Sequence, residues 1–280
     1  MKVYIKEKRC LGIFGQKADS SFWDEHWEIS NLRNYITSCR NNDFIMGPLK
    51  TYLPDEDGII LEGGCGRAQN VFCMRHNGYK AIGVDFAEAT VKAVKEALPE
   101  LDIRKSDVGN LPFKDGEIAG YWSLGVIEHF WEGYDSILDE MARVIRNKRG
   151  FLFLTFPHMS LLRKIKGSLG FYKKRYAEND VQRFYQYCLD YRKVIEDLEK
   201  RGFILREKSF HDGIKGFKDE ISLVKPLLQQ VYDGKKLNGR IGRRVKRVLD
   251  KCLAIFASHI ILLVMEKVVI NGDEVKKGTF

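Results

Sequence analysis

Three acidic residues stand where short apolar runs end. Ile59, Ile60 and Leu61 lead into Glu62, Gly63, Gly64, Cys65, Gly66, Arg67 and Ala68. Glycines at 64 and 66 let the backbone turn sharply and approach a ligand that a Cβ would hold away. Alone, such a turn fits a dinucleotide site, a nucleoside site or an ordinary tight turn. Asp85 closes the next run, 23 residues after Glu62. A carboxylate there can accept hydrogen bonds from both hydroxyls of a ribose. Asp107, in KSDVGNLPF, ends the third run, and its side chain can accept from an exocyclic adenine amine. Polar groups at three successive run ends suit an adenosine, which in an open α/β sheet lies outside the carboxyl ends of the strands.

The elements that must carry these residues follow from the pattern of apolar runs. GIILEGG, YKAIGVDF, LDIRKSD, EIAGYWSLGV and GFLFLTFP read as strands, with helical stretches over 70–77, 87–98 and 134–145 between them. Repeated β then α units predict an α/β, doubly wound, mainly parallel sheet with helices on both faces. A further helix spans 189–201, with Gly202 at its C′ position and a strand over Phe203–Leu205 after it. HIILLVMEKVV, His259–Val269, has the composition of a buried last strand. Upstream, 20–39 reads as a helix with Phe22, Trp23, His26, Trp27 and Ile29 close to one face. Such a stripe is either packed core or part of a lid.

A chain of 280 residues, 44% apolar and 30% charged with six prolines, is ordinary for a globular protein and excludes disordered, collagen-like and disulfide-rich classes. Its six cysteines are scattered without CxxC spacing or a Cys/His cluster. Neither a metal site nor a disulfide framework is expected, and a reducing compartment is. The start, MKVYIKEKRC, lacks the apolar core of a secretory signal, and the run Leu253–Met265 falls short of the roughly 20 residues that cross a bilayer. A cytoplasmic location is the expectation. The net charge of +9 is concentrated: residues 162–251 hold 24 basic and 12 acidic side chains, densest in KKLNGRIGRRVKRVLDK. Such a stretch attracts nucleic acid, anionic lipid or an acidic substrate, or is simply a solvated helix face.

The strings LEGGCGRAQN, GVDFAEATVKAVKE, SDVGNLPFKDGEIAGYWSLGVIEHF and DEMARVIRNKRGFLFLTFP resemble, in order and spacing, the class I S-adenosylmethionine-dependent methyltransferases over residues 59–157. The glycine turn by itself is shared with dinucleotide-binding dehydrogenases. The resemblance implies a Rossmann-like, seven-stranded sheet in one methyltransferase domain: an N-terminal helical lid over 1–57, a cofactor-binding core over 58–158, a substrate side with a basic helical insertion over 159–258, and the last strand over 259–270. It implies S-adenosylmethionine as cofactor and places Glu62, Gly63, Gly64, Cys65 and Gly66 in its first motif. Asp85 takes the position of the ribose-binding acid, Phe86 lies beside the adenine, Asp107 near the adenine amine with a backbone contact from Val108, and Ser123 and Leu124 face the methionine part. Glu128 and His129 match an EH pair. The chain departs from the family at Ala68, where a third glycine is usual, at Ala119, where an acid is common, and at Asn147–Gly150, which replace a Pro-Gly-Gly turn.

For such an enzyme the methyl carbon is already activated, and aligning the acceptor while excluding water supplies much of the rate, about 7–11 kcal/mol in favourable intramolecular cases. A hydroxyl acceptor benefits from a general base, and His129 is the first candidate, ahead of His158 and His26, the alternative for His129 being a structural role that orients its loop by hydrogen bonds. Trp23 and Trp27 are expected over the acceptor, with His158 beside it. With no Asn-Pro-Pro-aromatic motif and no RNA-binding module, nucleic acid is disfavoured, and O- or N-methylation of a small molecule, including a sugar or lipid-linked intermediate, leads. An RNA methyltransferase using the basic segment and a catalytically silent cofactor-fold binding protein are the alternatives. Residues 235–258, with apolar positions between charges, suit an anionic membrane surface or a substrate cap, so the cytoplasmic protein can also be peripheral to a membrane. A monomer or weak dimer is expected.

Overall fold

The computed structural model describes residues 1–19, 22–23, 31–54, 58–234 and 239–268. Its strands are β1 (Lys2–Ile5), β2 (Cys10–Phe14), β3 (Ile59–Gly63), β4 (Lys80–Asp85), β5 (Ile103–Lys105), β6 (Ile118–Leu124), β7 (Gly150–Pro157), β8 (Phe184–Cys188), β9 (Phe203–His211) and β10 (Ile260–Lys267). Seven of them form one sheet in the order β5-β4-β3-β6-β7-β10-β9. Pairing is parallel from β5 through β7, whereas β10 runs antiparallel to both β7 and β9. The chain runs outward from β3 to β5 and returns to lay β6 on the other side of β3. That reversal opens a crevice at the carboxyl ends of β3 and β6, where ligands of such sheets bind.

The apolar runs become central strands because a strand covered on both faces has no side that tolerates water. All eight residues of β7 are buried. Side-chain alternation sends neighbours into two cores. Leu61, Leu152 and Leu154 pack with Ile137, Met141 and Leu198 on one face, and Ile60, Phe153 and Val264 pack with Ile36, Val71 and Val94 on the other. Each large side chain so buried contributes roughly 1.5–3 kcal/mol.

The helices expected over 70–77, 87–98, 134–145 and 189–201 are found at Gln69–His76, Glu88–Ala97, Asp135–Val144 and Tyr191–Glu199. Gly202 has the positive φ of 83° that its C′ role requires. The basic helix, Gly239–Ala257, does precede the last strand. It docks on the helix Gly213–Glu220 through glycine, since a Cβ on Gly216 would overlap the Ala257 carbonyl oxygen. Residues 269–270 of the expected last strand lie outside the described residues.

Three parts differ from the sequence reading. Residues 2–14, expected within a helical lid, form the hairpin β1-β2, which joins β8 in a separate antiparallel sheet. Val3 and Ile5 are buried while Lys2 and Tyr4 are partly exposed, so the period is two. The predicted helix over 20–39 is found at Phe22–Trp23 and at Leu32–Ser38, with Asn31 in the left-handed region at φ 55° between them. His26 and Trp27 lie outside the described residues. Finally, β9 continues six residues beyond Leu205. As the edge of the sheet it carries the exposed Arg206, Glu207 and Lys208, which a central strand would not tolerate.

Candidate active site

A cleft of 470 Å³ opens at the carboxyl ends of the parallel strands, lined by Gly64, Asp85, Phe86, Asp107, Val108 and Leu124 together with Trp23 and His129. These eight were all expected at the site. Because β4 and β5 lie on one side of β3 and β6 on the other, the acids occupy one half of the cleft and His129 the other.

In the acidic half, Asp85 ends β4, and its carboxylate clamps the glycine turn. Oδ2 accepts from the Gly66 amide at 2.7 Å and Oδ1 from the Ala87 amide at 2.9 Å. Asp107 is exposed, with Oδ1 accepting from the Gly109 amide at 2.8 Å. Phe86 presents an apolar ring that is 44% exposed, and Val108 is buried behind it. Gly64 has φ 74°, and a Cβ there would stand 2.6 Å from Val126 Cγ2. The next positions along the turn are also strained for L-residues: Ala68, where a third glycine is usual, has φ 59°.

Glu62, Gly63, Cys65 and Gly66 do not line the cleft; they form the buried floor of the turn. Burial pushes the Glu62 carboxyl up to about 8, against the hydrogen bond from Asn70. Its Oε1 accepts that bond at 2.8 Å, whereas Oε2 is buried with no partner among the described residues. A buried acceptor without a donor is costly and suits an ammonium or amide N–H supplied by a ligand. With the close approach that Gly64 permits, it fits the amino-acid end of S-adenosylmethionine. Ser123 is wholly buried in β6 and lies behind the cleft wall.

In the other half, His129 sits on a short 3-10 turn, Ile127–His129, after β6. Its Nδ1 lies 2.7 Å from the Tyr185 carbonyl oxygen, an acceptor only, so Nδ1 carries the proton and Nε2 the lone pair. Burial pushes its pKa below the ordinary histidine value, which keeps the ring neutral. The ring packs edge-on against Trp23 at 5.1 Å and Tyr185 at 5.2 Å. Beside it, Glu128 is buried, and burial pushes its carboxyl up to about 8.

His158, expected beside the acceptor, is not brought to the cleft. It is buried against Phe210, with Nε2 2.7 Å from Ser258 Oγ. It belongs to a buried polar cluster around Glu220, whose carboxylate receives Lys2, Arg163, Lys166 and Tyr172. Trp27 lies outside the described residues. Sequence reasoning missed Phe130, Trp131, Val181 and Phe184, which wall the half of the cleft around His129. Trp131 follows directly on the EHF string, a signal that was present. Phe184 lies on β8 and reaches the cleft only because β8 pairs with β2.

A doubly wound sheet with a glycine turn and acids at adjacent strand ends defines a Rossmann-like protein that takes a nucleoside-bearing cofactor. Residues 61–154 match the family model of the methyltransferase domain. A probable S-adenosylmethionine-dependent methyltransferase of Mycolicibacterium smegmatis is 33% identical over 96 residues, 34% of this chain and 37% of that protein. Over this cofactor core the chain is thus similar to the S-adenosylmethionine-dependent methyltransferases. The matched segment spans little more than a third of the relative's length. Likeness of fold extends further. The chain resembles one from the complex between the Haloferax volcanii Trm112 methyltransferase activator and the putative methyltransferase, with a TM-score of 0.54, 12% identity, and coverage of 91% of this chain and 100% of that one. It also resembles a putative sarcosine dimethylglycine methyltransferase from Galdieria sulphuraria, with a TM-score of 0.50, 12% identity, and coverage of 81% and 84%.

Proposed function

We propose that this protein transfers a methyl group from S-adenosylmethionine to a hydroxyl oxygen or an amine nitrogen of a small molecule seated against Trp23, Trp131 and Phe184. The observation that carries this reading is that Asp85 and Asp107 share one continuous cleft with His129. Asp85 and Asp107 receive the ribose hydroxyls and the adenine amine, Phe86 and Val108 flank the base, and Gly64 lets the methionine part lie on the turn. Glu62 Oε2 accepts from the ammonium, and Ser123 and Leu124 back that end of the site. When bound, the cofactor supplies an electrophilic carbon on a positively charged sulfur.

The chain's own residues then orient and deprotonate the acceptor. Tyr185 holds His129 so that Nε2 takes the proton from an acceptor hydroxyl as its oxygen attacks. The aromatic wall excludes water and fixes the approach. A small acceptor is supported by the size of the cleft and by its lining, in which Lys17 is the one Lys or Arg side chain among the described residues. The basic residues of 239–257 lie elsewhere, which speaks against RNA as the acceptor.

The test is transfer of labelled methyl from S-adenosylmethionine into a small-molecule extract of the host cells. Label in low-mass products with the wild-type protein, lost in His129→Ala, supports the reading. Label only in RNA or protein overturns it.

A further inference from the structure

The helix Gly239–Ala257 carries two parallel stripes on the side facing away from the body of the protein. Ile241, Val245, Val248, Cys252 and Ile255 follow a 4-3-4-3 spacing, which keeps them on one line of an α-helix. They stand in water: Ile241 is 80%, Val248 62% and Ile255 81% exposed. Displaced by one residue, Arg240, Arg244, Arg247 and Lys251 form a second, basic line along the edge of the first, and all four are exposed. The helix holds a single acid, Asp250, and it is turned inward to accept from the Ile214 amide at 2.9 Å. Attachment to the body uses Gly242, Ala254 and Ala257, so the apolar line is surplus to internal packing.

The geometry points to an anionic lipid bilayer as the partner of this face. Lipid takes aliphatic side chains without a matching pocket, and its headgroups meet a row of Lys and Arg at the water boundary. A second copy of the chain would bring the same positive row with no acid to offset it. An RNA backbone would use the row but not the aliphatic line, because bases stack on aromatic side chains. Among the described residues no helix is long and apolar enough to cross a membrane, so this helix lies along the surface. The inference is independent of the proposed reaction.

The test is flotation of the full chain with vesicles of phosphatidylcholine alone and of phosphatidylcholine with phosphatidylglycerol. The protein floats with the anionic vesicles only, and salt releases it. Arg244→Gln/Arg247→Gln/Lys251→Gln loses about a hundredfold in vesicle affinity, at ~1 kcal/mol for each basic residue. Ile241→Asn/Val248→Asn/Ile255→Asn, with all charges kept and the unfolding midpoint unchanged, loses at least about tenfold. Failure of the wild type to float overturns the inference, as does undiminished binding by the asparagine variant. So does a concentration-dependent dimer abolished by the asparagine variant, or RNA binding abolished by the glutamine variant while vesicles are ignored.

Discussion

Nδ1 of His129 donates to the main-chain oxygen of Tyr185 at 2.7 Å, and this bond sets the tautomer of the one histidine that lines the cleft among the described residues. The Tyr185 carbonyl can only accept, so Nε2 is the basic nitrogen, and burial keeps it unprotonated at neutral pH. Replacing His129 with Ala should lower kcat for a hydroxyl acceptor about 10²- to 10⁴-fold, the usual value of a positioned base. Affinity for S-adenosylhomocysteine should stay unchanged. Because the neutral ring is the active form and its pKa is depressed, kcat/KM should be flat above pH about 6.5 and fall only in more acidic solution. Initial rates from pH 5 to 9 check this.

Substitution at Gly64 tests how closely the backbone must approach the ligand. Alanine there meets Val126 Cγ2 at 2.6 Å and must hold φ 74°, a left-handed conformation that costs an L-residue about 1–2 kcal/mol. Gly64→Ala should weaken S-adenosylhomocysteine binding on the order of tenfold or more. Adding Val126→Ala should restore part of the loss, since it removes the clash and leaves the backbone strain. Calorimetric titration of both variants measures the two components.

With Glu62 receiving the cofactor's ammonium as proposed, cofactor binding should release a proton. Burial holds its carboxyl up near 8, so it is largely protonated at pH 7 in the ligand-free chain. An ammonium brought to Oε2 favours the carboxylate and draws that value down. Titrations at pH 7 in buffers of different ionisation enthalpy should therefore show release of up to about one proton per S-adenosylmethionine bound. Glu62→Gln should abolish the release.

Fold stability of the ligand-free protein should reach a plateau in mild acid and decline toward alkali. Glu62 and Glu128 sit near 8 because they are buried, against about 4.3 in an unfolded chain. The native state then holds protons that the unfolded state has lost, and stability falls as pH rises, by up to about 1.4 kcal/mol per pH unit for each group, until about 8. His158 and His259 act in the opposite sense. Burial and neighbouring cations push them down to about 3 and about 2, so the unfolded chain takes up their protons below about 6.5 and stability falls with acid. The two slopes oppose each other from about pH 4.5 to 6.5 and leave the glutamate decline above it. Urea unfolding across this range should show that shape, and Glu62→Gln/Glu128→Gln should flatten the alkaline side.

Much of the acidic half of the cleft was legible in the sequence. Asp85 and Asp107 close apolar runs, and a buried parallel strand writes itself as such a run whatever lies around it. The aromatic half was not legible. Phe184 becomes a wall residue only when β8 pairs with β2, bringing Cys188 opposite Leu11 across more than half the chain, and no local period encodes that pairing. β1 is four residues long, and β2, CLGIF, is five with no polar alternation at all, so neither displays a period of two that stands out. His158 misled for a related reason. It follows β7 as a catalytic residue could, but its neighbours Arg163, Ser258 and His259 come from elements not yet placed when the sequence is read in order.

In the proposed function Asp85 and Asp107, at neighbouring strand ends, grip one sulfur-bearing nucleoside. Calorimetry with S-adenosylhomocysteine and with NAD, on the wild type and Asp85→Ala, addresses it most directly. The sulfur compound should bind and NAD should not, and removing the carboxylate should cost about 10- to 100-fold, the value of one or two charge-assisted hydrogen bonds. No binding of S-adenosylhomocysteine, or an affinity indifferent to Asp85, would contradict it.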